Sequence, residues 1–180
     1  MFPKHRVFIT LPFLLGALMP TVALADTPTP GDIPDNQAFV RLTTPRYSLT
    51  TPEGWTRTTI GQRVTLSDKY NAISVELSTS KSAPTVRSVG ASELPHLRSS
   101  IPGFRSPHVT SLVRPAGRAV LVRYEATSRR NAVTGRTVMN DVERYEFWKN
   151  GHLAVVTLQA PHGSDNVDPW RTVTTSFRWR

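Results

Sequence analysis

The 180-residue chain contains no cysteine. Disulfides, thiolate metal sites and cysteine nucleophiles are therefore excluded, and so is the lipid anchor that bacterial lipoproteins carry on a cysteine. A chain without disulfides must be stabilised by its own apolar core. Acidic side chains are also scarce, 13 Asp and Glu against 22 Lys and Arg, which leaves a formal charge of +9. Such a balance favours anionic partners: lipid headgroups, glycan phosphates or acidic proteins. The plainer alternative is a basic surface that serves solubility. No G-x-S-x-G nucleophile elbow, no P-loop and no dinucleotide fingerprint occurs. No nucleic-acid-binding motif occurs either, so nucleic acid is not an expected partner.

The N-terminus has the pattern of a secretory signal peptide, residues 1–25. Lys4 and Arg6 precede an uncharged run, residues 7–25, which ends in Ala23-Leu24-Ala25. A basic head, an apolar centre and a small-x-small end predict cleavage after Ala25 and export to the periplasm or beyond. The alternative is an uncleaved anchor, because the apolar run approaches spanning length. Pro12, Gly16 and Pro20 speak against it. Cleavage removes Lys4 and Arg6 and leaves 20 basic against 13 acidic side chains, or +7. The segment DTPTPGDIPDNQ that follows has no apolar period. Residues 26–38 are read as a flexible lead-in outside the core, and residues 39–180 as one domain.

Alternating strands dominate that domain. NAISVELST sends Ile73, Val75 and Leu77 to one face, and QRVTLSD repeats the pattern through Val64 and Leu66. RAVLVRYEATS places Val120, Val122, Tyr124 and Ala126 on one side, with Arg123, Glu125 and Thr127 on the other. TVMNDVERYEFWK meets HLAVVTLQA across Asn150-Gly151, the strongest short hairpin signal, since both turn positions need positive φ. A two-residue turn pairs Lys149 with His152, Phe147 with Ala154, Tyr145 with Val156 and Glu143 with Leu158, on a face that should meet the core. The opposite face is mixed. It carries Trp148 with Leu153, Glu146 with Val155 and Arg144 with Thr157, and is either half-covered or a binding surface.

Two helices are predicted. ASELPHLRSSI has Ser92 as N-cap, Pro95 in the first turn and Leu94, Leu97 and Ile101 on one face. DNVDPWRTVTTSF offers Asp168 as N-cap, Pro169 at N1 and an apolar line through Trp170, Val173 and Phe177. In YSLTTPEGW, Tyr47 and Leu49 form a strand, Pro52 and Gly54 make a turn, and Trp55 is expected to begin the partner strand.

An aromatic strand ending in Pro-x-Gly-Trp, a polar strand at Gln62 to Ser67, a late Tyr-x-Phe…Asn-Gly hairpin and a C-terminal helix closing on Ser176-Phe177-Arg178 resemble, in that order, the Mog1/PsbP-like superfamily. The resemblance spans roughly residues 40–180. It implies an α+β, α/β/α sandwich whose central, mostly antiparallel sheet is flanked by helices. Members include a nuclear-transport GTPase partner, extrinsic photosystem II subunits, bacterial envelope lipoproteins and chaperones of secretion effectors. Common to them is the binding of macromolecules, with no shared catalytic site. This chain departs from the lipoproteins in lacking cysteine and from the chaperones in carrying an export signal.

Candidate chemistry is thin. His96, His108, His152 and His162 show no ligand spacing, and the oxygen-rich loop around Asp165 and Asp168 is too short for calcium. Neither a metal nor a cofactor is therefore expected. Asp141 and Glu143 should lie on one strand face and Glu146 on the other, so they do not converge; Arg144 and Glu146 read as a surface ion pair. The loop SRRNAVTGR carries Arg129, Arg130 and Arg136, a fork for phosphate or carboxylate. Its alternative is a solvated tip. The expected binding residues are Arg129, Arg130 and Arg136 with the Arg144, Glu146 and Trp148 face. The function expected is that of an exported, non-enzymatic adaptor contacting another protein of the bacterial cell envelope. One alternative is an electrostatic binder of anionic lipid or glycan, and a second is a hydrolase with an unrecognised site.

Overall fold

A computed structural model describes residues 31–131 and 135–180. The expected signal peptide, its cleavage point, residues 26–30 of the lead-in and residues 132–134 of the arginine loop lie outside the described residues.

In chain order the strands are β1 (Phe39–Thr43), β2 (Tyr47–Pro52), β3 (Thr56–Ile60), β4 (Arg63–Asp68) and β5 (Asn71–Thr79). A helical stretch follows without a gap: α1 (Val86–Ser88), a wide π-turn (Val89–Glu93) and α2 (Leu94–Ser100). Then come β6 (Arg105–Arg114), β7 (Gly117–Thr127), β8 (Met139–Lys149), β9 (His152–Pro161), α3 (Val167–Ser176) and β10 (Arg178–Trp179). Seven strands form one antiparallel sheet in the order β3-β4-β5-β9-β8-β7-β6. The architecture is the expected α+β sandwich. Asn150 and Gly151 turn with φ of 49° and 82°, and β8 and β9 pair in the register read from the sequence, Lys149 to His152 through Glu143 to Leu158.

Period-2 alternation sorts the side chains onto two apolar layers. On one face Ile73, Val75, Leu121, Tyr145, Phe147, Val156 and Leu158 meet Trp170, Val173 and Phe177 of the α3 segment, together with Tyr47 and Leu49 of β2. On the other, Val120, Val122, Tyr124, Ala126 and Val142 meet Val89 and Leu97, with Leu94 and Ile101 beside them. Helices therefore cover opposite faces, and α3 shares its face with a small second sheet.

That small sheet corrects the reading of YSLTTPEGW. β2 pairs with β1 and β10 and not with a strand starting at Trp55. Gly54 does take the expected positive φ, 82°, but the turn is a crossover between sheets. The reason lies in burial. Ser48 and Thr51 are buried along with Tyr47 and Leu49, so β2 needs a partner on each edge, whereas every residue of β3 is exposed, as befits a sheet edge.

Both helix starts also differ from expectation. The first begins six residues before Ser92: Thr85 is the N-cap, its hydroxyl accepting the Ser88 N–H at 3.0 Å while the Ser88 hydroxyl accepts the Thr85 N–H at 2.9 Å. This is a capping box with serine in the Glu position. Ser92 sits inside, donating to the Ser88 carbonyl. Pro95, now interior, has no N–H for the preceding turn, and the wide turn just before it, closed by Leu94 N–H to the Val89 carbonyl, accommodates its ring.

At the second helix the N-cap is Asn166, so Asp168 and Pro169 fall within the first turn. The Asn166 side chain does not cap. Its Oδ1 accepts the Ile33 N–H at 2.7 Å and its Nδ2 donates to the Gly31 carbonyl at 3.0 Å. Ile33 is thereby held in the core, 4% exposed, although it belongs to the segment read as lying outside it. Asn166→Ala should strand the buried Ile33 N–H, release the half-buried Gly31 carbonyl and cost about 2 kcal/mol, read as a lower urea midpoint. A loss within about 0.5 kcal/mol would mean that the clamp on residues 31–33 contributes nothing.

Candidate functional site

The mixed face of β8 and β9 is not closed by α2. Between α2, the start of the 128–136 loop and the turn joining β4 to β5, an open cleft of about 950 Å3 descends to the sheet. Its floor is half apolar: Tyr124, Ala126, Val142 and Val155 lie beside Thr157, Gln159 and Asn140. Five basic side chains line it (Arg63, Lys69, Arg129, Arg130 and Arg144) against two carboxylates, Glu76 and Glu93.

Each strand supplies its residue for a reason visible in the chain. β8 alternates, so Tyr145 and Phe147 enter the core while Arg144 turns to the opposite face. Arg144 is clamped there, Nη2 donating to Glu93 Oε1 at 2.6 Å and Nε to Glu146 Oε1 at 3.3 Å. Glu93 ends the π-turn, so the irregularity that Pro95 imposes also brings a carboxylate over the sheet. The expectation of a surface ion pair is overturned, since Glu146 is 4% exposed and the Arg144 side chain 16%. Burial pushes the Glu146 carboxyl above its ordinary value, Arg144 opposes this and the charge of Glu93 adds to it. Arg63 is tied to Glu76 across β4 and β5.

The other expected residues divide. Arg129 and Arg130 stand exposed at the lip of the cleft, Arg130 Nη1 donating to the Gly135 carbonyl at 2.8 Å. Arg136 lies outside the cleft lining, and its carbonyl closes the loop by accepting the Asn131 N–H at 2.8 Å. Trp148 is also elsewhere, with its indole N–H donating to the Ser80 carbonyl at 2.9 Å, where it pins the loop after β5. Lys69 and Glu93 join the site without any local sequence pattern to mark them. Their place in it depends on contacts across the sheet.

The carboxylates of β8 are engaged separately. Asp141 meets His162 Nδ1 at 2.8 Å, and Glu143 accepts the Tyr145 hydroxyl at 2.6 Å and Arg123 Nε at 2.7 Å; Glu146 takes Arg144 on the other face. Among the described residues no three His, Asp or Glu side chains gather as a metal site, and no helix is long and apolar enough to cross a membrane.

The sequence matches no protein-family model and no curated protein. Among solved structures it is similar to cyanobacterial PsbP (CyanoP) from Synechocystis sp. PCC 6803, with a TM-score of 0.56 at 13% identity over 90% of this chain and 100% of that one. A Pseudomonas aeruginosa protein of unknown function, PA94, matches with a TM-score of 0.46 at 16% identity over 74% and 91% of the two chains. LpqN of Mycobacterium tuberculosis, described as involved in cell envelope biogenesis, matches with a TM-score of 0.47 at 12% identity over 81% and 92%. The chain thus has the PsbP-like fold expected from its motifs, and at such identity the likeness is one of fold alone.

Proposed function

We propose that the protein is an exported, non-catalytic binding protein of the bacterial cell envelope, whose cleft takes hold of an acidic segment of another envelope protein. The observation that carries this reading is the gathering of Arg129, Arg130 and Lys69 with Arg63 and Arg144 around one open cleft. Arg63 and Arg144 are already matched by carboxylates, so Arg129, Arg130 and Lys69 at the rim supply the attraction for an anionic partner. The floor of Tyr124, Ala126, Val142 and Val155 gives a peptide side chain an apolar seat, which a headgroup or glycan phosphate would leave uncovered. Export rests on the N-terminal pattern of Lys4, Arg6, the apolar run and Ala23-Leu24-Ala25. The absence of catalysis is supported by the carboxylates of β8, which are spread over both sheet faces and engaged one by one.

The test is capture from envelope extract at low and at high salt, using the protein beside an Arg129→Gln/Arg130→Gln variant whose folding is checked by circular dichroism. One protein should be retained by the wild type at high salt through the apolar floor and, at low salt, be displaced by a poly-glutamate peptide and held about ten-fold less well by the variant. Equal retention by the variant would remove the cleft from the reading. Capture of phosphatidylglycerol vesicles at low salt, with no protein retained at high salt, would make the arginines an electrostatic lipid surface instead.

A further inference from the structure

The sheet face opposite the cleft carries a second cavity. Where α3 meets β7, β8 and the end of β6, a pocket of about 350 Å3 opens. This is the size of a site for a small organic molecule. Trp170, Val167, Ala160 and Pro161 give it an apolar wall, and Arg114, Arg123, Tyr145 and Glu143 line it as well.

The ionic groups here are balanced with one exception. Arg123 is paired with Glu143 at 2.7 Å, Arg171 with Asp168 at 2.8 Å, and Asp141 with His162 at 2.8 Å. Arg114 has no carboxylate within salt-bridge distance among the described residues. Its guanidinium carbon stands 5.8 Å over the centre of the Tyr145 ring, and its Nε is shielded from solvent without an acceptor. A half-buried guanidinium with no carboxylate partner is costly, and a ligand carboxylate at its terminal nitrogens would relieve that cost. The Tyr145 hydroxyl is fixed by its bond to Glu143, and burial, with that bond adding and Arg114 opposing, pushes its pKa up to about 12. It therefore stays neutral, and Arg114 is the arginine of the pocket that no carboxylate matches.

We infer that this pocket binds a small monocarboxylate with an apolar body, an aryl- or alkyl-substituted acid, its carboxylate on Arg114 and its body against Trp170. One unmatched cation suits a monoanion, and the apolar wall excludes a bare inorganic ion as the preferred ligand. The inference does not rest on the cleft, which lies on the other face of the sheet and shares none of these residues.

The probe is 3-phenylpropanoate, with the isosteric neutral 3-phenylpropanamide as control and inorganic phosphate as a second anion. Calorimetry reads the binding, with the change in tryptophan fluorescence that Trp170 contributes as a second signal. The protein is expected to bind the acid at least ten-fold more tightly than either the amide or phosphate. Arg114→Met should lower affinity for the acid by ten-fold or more, and Arg129→Gln/Arg130→Gln should leave it unchanged. Equal binding of acid and amide, undiminished binding by Arg114→Met, or no binding at millimolar acid would overturn the proposal. If Arg114→Met fails to fold, the acid and amide comparison on the wild-type protein decides the matter alone.

Discussion

Phe177→Ala is expected to cost about 3–5 kcal/mol. The ring is fully buried and stands where α3 ends and the chain extends into β10. It stacks on Phe147 of the large sheet at 4.9 Å and on Tyr47 of the small sheet at 5.8 Å, and meets Trp179 edge-on at 5.5 Å. One side chain thus joins the helix to both sheets. Its removal forfeits the transfer energy of the ring and leaves a cavity that three rigid aromatic neighbours cannot collapse to fill. The urea midpoint should fall with the slope unchanged, and Phe177→Leu should recover more than half of the loss. A deficit below about 1 kcal/mol for the alanine variant would show that the small sheet docks without this joint.

Removing Arg144 should have the next largest effect, with a dependence on pH that identifies its cause. Arg144→Met strands Glu146, a carboxylate 4% exposed, and breaks the link to Glu93 on the π-turn. Losing one partner of a buried pair costs about 3 kcal/mol. In the wild type the Glu146 carboxyl already lies above the ordinary value of 4.5 because of burial, with Arg144 holding it down. A glutamate raised in the folded state is harmless while protonated. It removes stability as pH rises from the unfolded value through the folded one. Without Arg144 the folded value climbs further, so the deficit should be full at neutral pH and small below pH 4.5, where both states carry the proton. Urea unfolding at several pH values measures this. Arg144→Met/Glu146→Leu should restore most of the stability at neutral pH, because the buried carboxylate is then removed together with its partner. A deficit independent of pH would assign the loss to packing of the arginine stem instead.

The legible parts of this protein are those in which cause and consequence lie close along the chain. Asn150-Gly151 allows one tight turn, and a two-residue turn dictates the pairing of every later residue, so the register of β8 and β9 follows down to Glu143 and Leu158. Alternation separates Tyr145 and Phe147 from Arg144 and Glu146, and helical spacing puts Trp170, Val173 and Phe177 on the buried side. The helix starts are less legible. Ser92 and Asp168 are good caps by type, but Thr85 offers the reciprocal pair with Ser88, and Asn166 is held by a segment 133 residues away. A cap read locally cannot weigh such a competitor.

Local pattern alone was enough for the alternating strands, the hairpin, the apolar face of β8 and β9 and the motif order that matches the PsbP-like fold. Long-range packing was needed to put β2 in a second sheet, to bury Glu146 against Arg144, and to bring Arg129 and Arg130 into one cleft with Arg144 and Glu93 but without Arg136 and Trp148. The same holds for Arg114, an ordinary arginine at the end of β6 until Tyr145 and α3 enclose it. Side-chain direction along a strand is set by pleating, a local property of the backbone. Burial and partnership are set by which distant elements pack over that face, and local patterning carries no record of them.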